Sequence, residues 1–367
     1  MRGGPWAYLL ALALLWASCQ ERAPEKKPRR SVADWTPDML VPRARFSPEE
    51  IFPHASSPYV FDEQAGLLYE PRRRDVWKEA EHPRGEFVVR SNNLGLLEDG
   101  PTLWEKRGLR ILVLGDSHLM VVGASESFPN LLEAQLRAAG YPDCEVLNAG
   151  IGYTSPALYL RRLEHFARLA PDVVLVSLFT GNDFWEELSL RYDISSSPTP
   201  LLDANYRQRL DRARHSFQGP LFQGLNQAYF FKHWPGTEER SFELLLESLQ
   251  GIRDFCEQRQ ILFLLMILPT KLDVDEDEPE LRAQALSTLE LSDEEATVQV
   301  RLGGRVLATL REWGVPCLDP TDAMRAEPAP LYWRSDQHLA VRGHAFLAQK
   351  LFETFERVLA DHGWKKN

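Results

Sequence analysis

The stretch from Leu109 to Ser117 reads Leu-Arg-Ile-Leu-Val-Leu-Gly-Asp-Ser, an almost wholly apolar run that stops at a glycine. Such a run has the length of a strand that is buried on both faces of a parallel sheet. Gly115 permits a tight turn, which places the hydroxyl of Ser117 at the carboxyl end of the strand, where open α/β sheets bind ligands. A serine that caps a following helix is the structural alternative.

Outward from this stretch, short apolar runs alternate with segments of helical periodicity, the pattern of repeated βαβ units. The predicted strands are residues 109–114, 145–148, 172–179, 261–268 and 315–318. The predicted helices are residues 128–139, 156–169, 298–313 and 343–359. We therefore expect an α/β fold class, a flavodoxin-like three-layer α/β/α sandwich with a central, mostly parallel five-stranded sheet.

Two further polar motifs follow predicted strands. Residues 148–154, Asn-Ala-Gly-Ile-Gly-Tyr-Thr, come after the second strand, and a glycine there lets a backbone N–H approach a ligand closely. Gly152 is the candidate oxyanion donor, Gly150 is the alternative, and the motif alone is also typical of a turn. After the third strand, the carboxamide of Asn182 is a further candidate donor to the same oxyanion.

The fourth motif, Ser-Asp-Gln-His at residues 335–338, precedes the last helix and supplies a candidate acid and base. Two residues apart on an extended backbone, the side chains of Asp336 and His338 lie on the same side. Asp336 can then hold the imidazole in the tautomer that takes a proton from Ser117. A surface pair is the alternative, but all four motifs follow strands of one parallel sheet, so we expect them to share a cleft.

Three residues beside these motifs receive a supporting or structural assignment. We expect Asp116 and Asp183 to hold their loops by accepting backbone N–H groups. His118 follows the candidate nucleophile directly. We expect it to face solvent, and the alternative is that it tunes the cleft.

Together the motifs resemble those of the SGNH (GDSL-type) hydrolase superfamily, over roughly residues 88–358. By that resemblance Ser117 is the nucleophile, and Asp336 and His338 complete the triad. Gly152 and Asn182 join the Ser117 N–H in the oxyanion hole. Most members place the acid three residues before the base. The two-residue spacing found here is similar to the alginate O-acetylation (alginate O-acetyltransferase-like) branch.

The resemblance implies a serine esterase that hydrolyses O-acyl esters through an acyl-enzyme and needs no metal or organic cofactor. The expected substrate is a small-molecule or glycan ester, including acetylated glycans of the cell envelope. One alternative is an O-acyltransferase that passes the same acyl group to a sugar hydroxyl, and another is a non-catalytic envelope lipoprotein. A formal net charge of -11 argues against a nucleic-acid partner.

The N-terminus resembles a bacterial lipoprotein signal. Arg2 precedes an apolar run that is too short for an ordinary transmembrane helix, and the run ends in Leu-Leu-Trp-Ala-Ser-Cys. Cys19 is the candidate lipidation site. We therefore expect an exported protein held in the cell envelope by a lipid anchor, in an outer membrane and facing the periplasm. A plain secretory signal is the alternative.

Composition divides the chain into three parts. Residues 1–19 are the predicted signal, residues 20–45 a flexible tether rich in charge and proline, and residues 46–360 a single hydrolase domain. Within that domain we expect an N-terminal arm over residues 46–104 and an insertion over residues 186–240. The insertion either covers the site as a lid or packs away from it.

Overall fold

The computed structural model describes residues 35–43, 58–198, 206–216, 222–275 and 279–366. Its strands are β1 (Val41–Pro42), β2 (Tyr59–Asp62), β3 (Gly66–Tyr69), β4 (Arg74–Lys78), β5 (Glu86–Arg90), β6 (Arg110–Leu114), β7 (Glu145–Asn148), β8 (Val173–Phe179), β9 (Tyr192–Asp193), β10 (Leu262–Leu268) and β11 (Cys317–Leu318). Its helices are α1 (Phe128–Ala138), α2 (Pro156–Phe166), α3 (Asp183–Arg191), α4 (Tyr206–Ser216), α5 (Phe222–His233), α6 (Thr237–Gln258), α7 (Lys271–Val274), α8 (Pro279–Leu289), α9 (Asp293–Ala296), α10 (Val298–Glu312), α11 (Thr321–Arg325) and α12 (Val341–Asp361).

Five strands form a central parallel sheet in the order β11-β10-β8-β6-β7. Numbered among themselves along the chain, they follow the order 2-1-3-4-5, which is the flavodoxin-like arrangement read from the β7 edge. The longest pairing joins β8 to β10, from Val173 opposite Leu262 to Phe179 opposite Leu268. Every residue of β8 is buried, as expected at the centre of a covered sheet.

Helices cover both faces of this sheet, because alternate strand residues point to opposite sides. On one face Leu112 and Val174 join a core that includes residues of α2, α3, α6 and α10. On the other face Val113 and Leu175 join a core with residues of α1 and α12. The three layers that result confirm the predicted fold class.

The predicted strand and helix bounds differ from the observed ones mainly at the ends. β6, β8 and β10 each begin one residue later than predicted, and β11 keeps only the last two residues of its predicted strand. The second predicted helix ends earlier, at Phe166, where a 3₁₀ turn over Ala167–Leu169 takes over. The 22-residue helix α6 was not predicted.

The described part of the N-terminal arm, residues 58–104, contains two antiparallel hairpins, β2–β3 and β4–β5. Its apolar residues Tyr69 and Phe87 form a small core with Met120 and Ile151. Met120 and Ile151 belong to the segments that follow β6 and β7. The arm therefore packs against the edge of the sheet at which the polar motifs lie.

The prediction of a flexible tether over residues 20–45 is wrong for residues 35–43, which are ordered. Trp35 is buried, and its ring meets the ring of Trp234 edge-on at 5.3 Å. β1 pairs with β9 in antiparallel fashion. These residues are ordered because Trp35 and Leu40 carry apolar surface that the core buries.

The predicted signal over residues 1–19, with Cys19, lies outside the described residues. Among the helices of the described ranges, none is both long enough and apolar enough to cross a membrane.

The predicted insertion, residues 186–240, contributes both to the core and to the edge of the sheet. Its aromatic residues Tyr229, Phe230 and Trp234 are buried in the larger core, which accounts for them by packing. At the start of α5, however, the backbone N–H of Gln223 donates to the side-chain oxygen of Gln337 at 2.8 Å. One end of the insertion thus contacts the fourth motif.

Candidate active site

Ser117 begins a single 3₁₀ turn, Ser117–Leu119, directly after β6. The carboxylate of Asp116 caps this turn by accepting the backbone N–H of His118 at 3.0 Å. A Cβ atom on Gly115 would lie 2.7 Å from the side chain of Leu119 and 3.2 Å from the carbonyl oxygen of Ser177, so glycine leaves room for Leu119 to pack here. The sequence Gly-Asp-Ser therefore folds locally so that a half-buried hydroxyl stands at the carboxyl end of the sheet.

The structure brings Ser117, His338 and Asp336 into one hydrogen-bonded chain. The hydroxyl oxygen of Ser117 lies 2.8 Å from Nε2 of His338, and Nδ1 of His338 lies 2.8 Å from Oδ1 of Asp336. In the neutral tautomer that fits, Nδ1–H donates to the carboxylate and Nε2 accepts the hydroxyl proton. This is the geometry that a serine nucleophile, a general base and an orienting acid require.

Asp336 is suited to hold that tautomer. Burial alone would raise the pKa of Asp336, but the hydrogen bond and charge of His338 outweigh it and lower that pKa overall. The carboxyl is therefore ionised at neutral pH. Its side chain is 38% exposed, against 14% for His338, so the acid end of the chain is open to solvent.

The loop that carries the acid and base is fixed by contacts from distant parts of the chain. The carboxylate of Glu81, between β4 and β5, accepts the backbone N–H groups of Arg334 at 2.8 Å and Ser335 at 2.7 Å. Nζ of Lys271 donates to the carbonyl of Trp333 at 3.2 Å. These residues were not selected from the sequence, since no local pattern links them to the loop.

Gly152 lies beside the nucleophile, whereas Gly150 serves packing. A Cβ atom on Gly152 would stand 3.5 Å from Cβ of Ser117. A Cβ atom on Gly150 would stand only 2.1 Å from Cβ of Leu119, so Gly150 must lack a side chain for Leu119 to fit. Of the two alternatives, Gly152 is the one that the fold brings to the hydroxyl.

Asn182 follows β8 at the N-terminal end of α3 and is 8% exposed. Its Nδ2 donates to Oε1 of Glu186, one helical turn on, at 2.7 Å. Its Oδ1 is buried without a hydrogen-bond partner. Nδ2 carries two hydrogens, so one N–H remains for an acceptor other than Glu186.

Asp116 and Asp183 occupy the supporting places expected of them. Asp183 is buried and accepts the backbone N–H of Phe179 at 3.0 Å and the hydroxyl of Tyr159 at 3.2 Å. Burial raises the pKa of both carboxyls, and the charge of Asp116 raises the pKa of Asp183 further.

His118 is buried, so the expectation that it faces solvent is wrong. Its ring centroid lies 4.0 Å from that of Phe179 and 4.7 Å from that of His338. Neither ring nitrogen has a hydrogen-bond partner. Burial first, and then the nearby His338, holds the pKa of His118 well below its usual range, so this imidazole is neutral. A neutral ring beneath the base adds no charge that would compete with it.

A scan of protein-family models found no match to this chain, and a search of curated proteins found none either. Similar solved structures include a GDSL-like lipase from Bacteroides thetaiotaomicron, 13% identical over 68% of this chain and 89% of that chain, with a TM-score of 0.38. A psychrotrophic esterase from Pseudoalteromonas sp. is 14% identical over 68% and 98%, with a TM-score of 0.36. An acetylxylan esterase from Geobacillus stearothermophilus is 17% identical over 68% and 96%, also with a TM-score of 0.36.

Proposed function

We propose that this chain is a serine-dependent ester hydrolase of the SGNH type that works through an acyl-enzyme. The observation that carries the proposal is the continuous hydrogen bonding from the Ser117 hydroxyl through His338 to Asp336, with both links at 2.8 Å. A protein that has lost catalytic activity does not need these three groups in hydrogen-bonding positions. The non-catalytic alternative therefore has less support.

In this mechanism the oxygen of Ser117 attacks the ester carbonyl carbon while Nε2 of His338 takes the hydroxyl proton. The carbonyl oxygen becomes an oxyanion, held by the N–H groups of Ser117 and Gly152 and by the amide of Asn182. One such donor is typically worth about 3–4 kcal/mol of barrier. His338 then gives its proton to the departing alcohol, and a water molecule activated by His338 releases the acid.

We further propose that the acyl group is small, of about acetyl size. A Cβ atom on Gly152 would already stand 3.1 Å from the hydroxyl of Tyr59 and 3.6 Å from the sulfur of Met120. Tyr59 of the arm and Met120 after β6 thus leave little space beside Gly152, where the acyl carbonyl must sit to meet its donor. This favours acetyl esters over long-chain lipids.

A glycan is our proposed alcohol portion. Tyr153, next to Gly152, is 66% exposed and is held at a positive φ of 61°, which is costly for a non-glycine residue. An exposed aromatic ring beside a cleft offers a face on which a sugar ring can stack. Placement in the cell envelope through a lipid on Cys19 stays a prediction, as does the O-acyltransferase alternative, which would use the same ring to hold a sugar acceptor.

The first test compares the full-length chain with its Ser117→Ala variant in p-nitrophenyl acetate hydrolysis. We expect wild-type turnover and a fall of about 10⁴-fold or more in the variant, because the hydroxyl of Ser117 forms the acyl-enzyme in the proposed mechanism. Ser125→Ala is the matched control, since Ser125 is exposed and lies outside the hydrogen-bonded chain. It should keep wild-type activity.

Two additions to this assay separate the alternatives. A fluorophosphonate probe should label wild type and Ser125→Ala but not Ser117→Ala. Acetylated product in the presence of a short xylo- or chito-oligosaccharide would assign the chain to acyl transfer. Failure of both turnover and labelling in the wild-type chain would overturn the proposed function.

A further inference from the structure

Three carboxyl groups lie close together behind the proposed oxyanion donors. Asp116 and Asp183 are buried, and Glu186 is half-buried with its Oε2 fully enclosed and without a hydrogen-bond partner. After burial, the charge of Asp116 raises the pKa of both Asp183 and Glu186, and Glu186 also raises the pKa of Asp183, so the charges interact. Tyr159 also faces this group.

The nearby cation does not bind these carboxyls directly. Arg162 is buried, and its guanidinium donates to the carbonyls of Ala149 at 2.9 Å and Gly115 at 3.2 Å and to the hydroxyl of Thr154 at 3.0 Å. The charge of Arg162 interacts with Asp116 and Asp183, and Glu186 adds a third carboxyl to the group. Since like charges at close range in a low dielectric cannot all ionise, at least one acid must keep its proton.

The hydrogen bonds indicate which acid keeps the proton. Asp116 accepts a backbone N–H from His118, and Asp183 accepts a backbone N–H from Phe179 together with a tyrosine hydroxyl. Glu186 accepts only the side-chain amide of Asn182. Donors and cations stabilise the ionised form. Asp116 also faces the cation Arg162 and the imidazole of His338, whereas the amide of Asn182 is what opposes a proton on Glu186. Glu186 is therefore the acid that most readily stays neutral. Burial raises its pKa well above the usual value.

We propose that Glu186 is a positioning residue for the oxyanion hole, orienting the amide of Asn182 as a neutral acid and switching the site off when it ionises. The inference rests on the proposed function. As a neutral acid, Glu186 accepts one N–H of Asn182 through its carbonyl oxygen and leaves the second N–H for the oxyanion. As a carboxylate it adds a negative charge next to the place where the oxyanion develops, and so raises the barrier.

The test is the pH dependence of kcat for p-nitrophenyl acetate from about pH 6 to about pH 10, corrected with Ser117→Ala. In wild type we expect an alkaline limb that falls about tenfold per pH unit once Glu186 ionises. Glu186→Gln keeps a neutral acceptor at every pH. It should have activity within about threefold of wild type at neutral pH and should lose the alkaline limb.

Glu187→Gln is the matched control. Glu187 is the next residue of α3 and is also a buried carboxyl, but its oxygens accept from Ser155, Ala157 and Ser248 rather than from Asn182. This variant should keep the wild-type alkaline limb whatever its absolute activity. An alkaline limb that is identical in wild type and Glu186→Gln, or no such limb in wild type, would overturn the proposal.

A second readout needs no substrate. The infrared difference spectrum between wild type and Glu186→Gln at neutral pH should contain the C=O stretch of a protonated carboxylic acid, and absence of that band would also overturn the proposal. If the wild-type chain has no Ser117-dependent turnover, the proposed function fails. The infrared band then decides separately whether Glu186 holds a proton, so the two failures are distinguishable.

Discussion

At the scale of single residues, the two-residue spacing between Asp336 and His338 allows one carboxylate to form two hydrogen bonds with the histidine. Oδ1 of Asp336 accepts both Nδ1–H of His338, at 2.8 Å, and the backbone N–H of the same histidine, at 3.2 Å. The second bond closes a turn in which an aspartate caps the residue two positions on. The acid therefore fixes the backbone of the base as well as its ring.

Asp336→Asn tests this double role. The carboxamide has one acceptor oxygen and no charge, so it holds the imidazole less firmly and does not stabilise the imidazolium that forms. We expect kcat for p-nitrophenyl acetate to fall by about 10²- to 10³-fold, less than the roughly 10⁴-fold known for a buried triad acid, because Asp336 is 38% exposed. Asp322→Asn, at a side chain that is 98% exposed, is the control and should behave as wild type.

At the scale of elements, the β4–β5 hairpin acts on the acid–base loop from outside the sheet. Glu81 accepts the two backbone N–H groups that precede Asp336 and also the hydroxyl of Ser335. The loop is closed on its own side by the backbone bond from Trp333 to the carbonyl of His338 at 3.0 Å. Its conformation thus depends on the arm.

We expect Glu81→Ala to loosen that loop without unfolding the chain. Without the carboxylate, the backbone N–H groups of Arg334 and Ser335 donate to water instead. Because the site is exposed, this change lowers the free energy of unfolding by less than about 1 kcal/mol. Catalysis depends on sub-ångström placement, so kcat should fall by about tenfold while Tm changes little. Glu86→Ala, at an exposed position on β5, controls for charge loss from the hairpin. Equal kcat values in the two variants would exclude a positioning role for Glu81.

At the scale of the whole molecule, buried carboxyls make stability depend on pH. Glu187 is fully buried, and burial raises its pKa against the opposing effect of its hydrogen bonds from Ser248, Ala157 and Ser155. The folded chain therefore holds this proton at pH values where the unfolded chain has released it. The resulting stabilisation is complete below the ordinary glutamate value of about 4.3 and is lost as pH rises through the raised folded value.

Glu187→Gln should remove this part of the pH dependence. We expect the difference in the free energy of unfolding between wild type and variant to shift against wild type as pH rises from about 5 to about 8. The shift is at most about 1.4 kcal/mol per pH unit for one group. Urea unfolding at a series of pH values measures it, and a difference that does not change with pH would contradict the assignment.

The strands of the sheet could be predicted from the sequence because they are short apolar runs bounded by turn residues, and each run is a local signal. Leu112, Val174 and Leu265 could be placed on buried strands from their neighbours alone. Trp35 could not, because its partner Trp234 is far along the chain and only the folded core brings the two rings together. Helix α6 does carry a local signal, because Leu245, Leu249 and Ile252 repeat at helical spacing.

The candidate site divides in the same way. The predicted site residues each follow a strand or precede the last helix: Ser117, Gly152, Asn182, Asp336 and His338. The order of the parallel strands therefore brings them to the same edge of the sheet. Glu81 contacts the acid–base loop across more than 250 positions of sequence, with a separation of 253 to Arg334. Glu186 lies near Asn182 in sequence, and a spacing of four on a helix could have suggested the pair.

The hydrogen bond between Ser117 and His338 joins residues 221 positions apart. At a synthesis rate of about 5–20 residues per second, the base leaves the ribosome roughly 10 to 45 s after the nucleophile. For that time the growing chain carries the hydroxyl without its proton acceptor. A product that terminates before residue 336 therefore has the strands of the sheet but neither Asp336 nor His338, so the proposed activity would report that translation has passed residue 338.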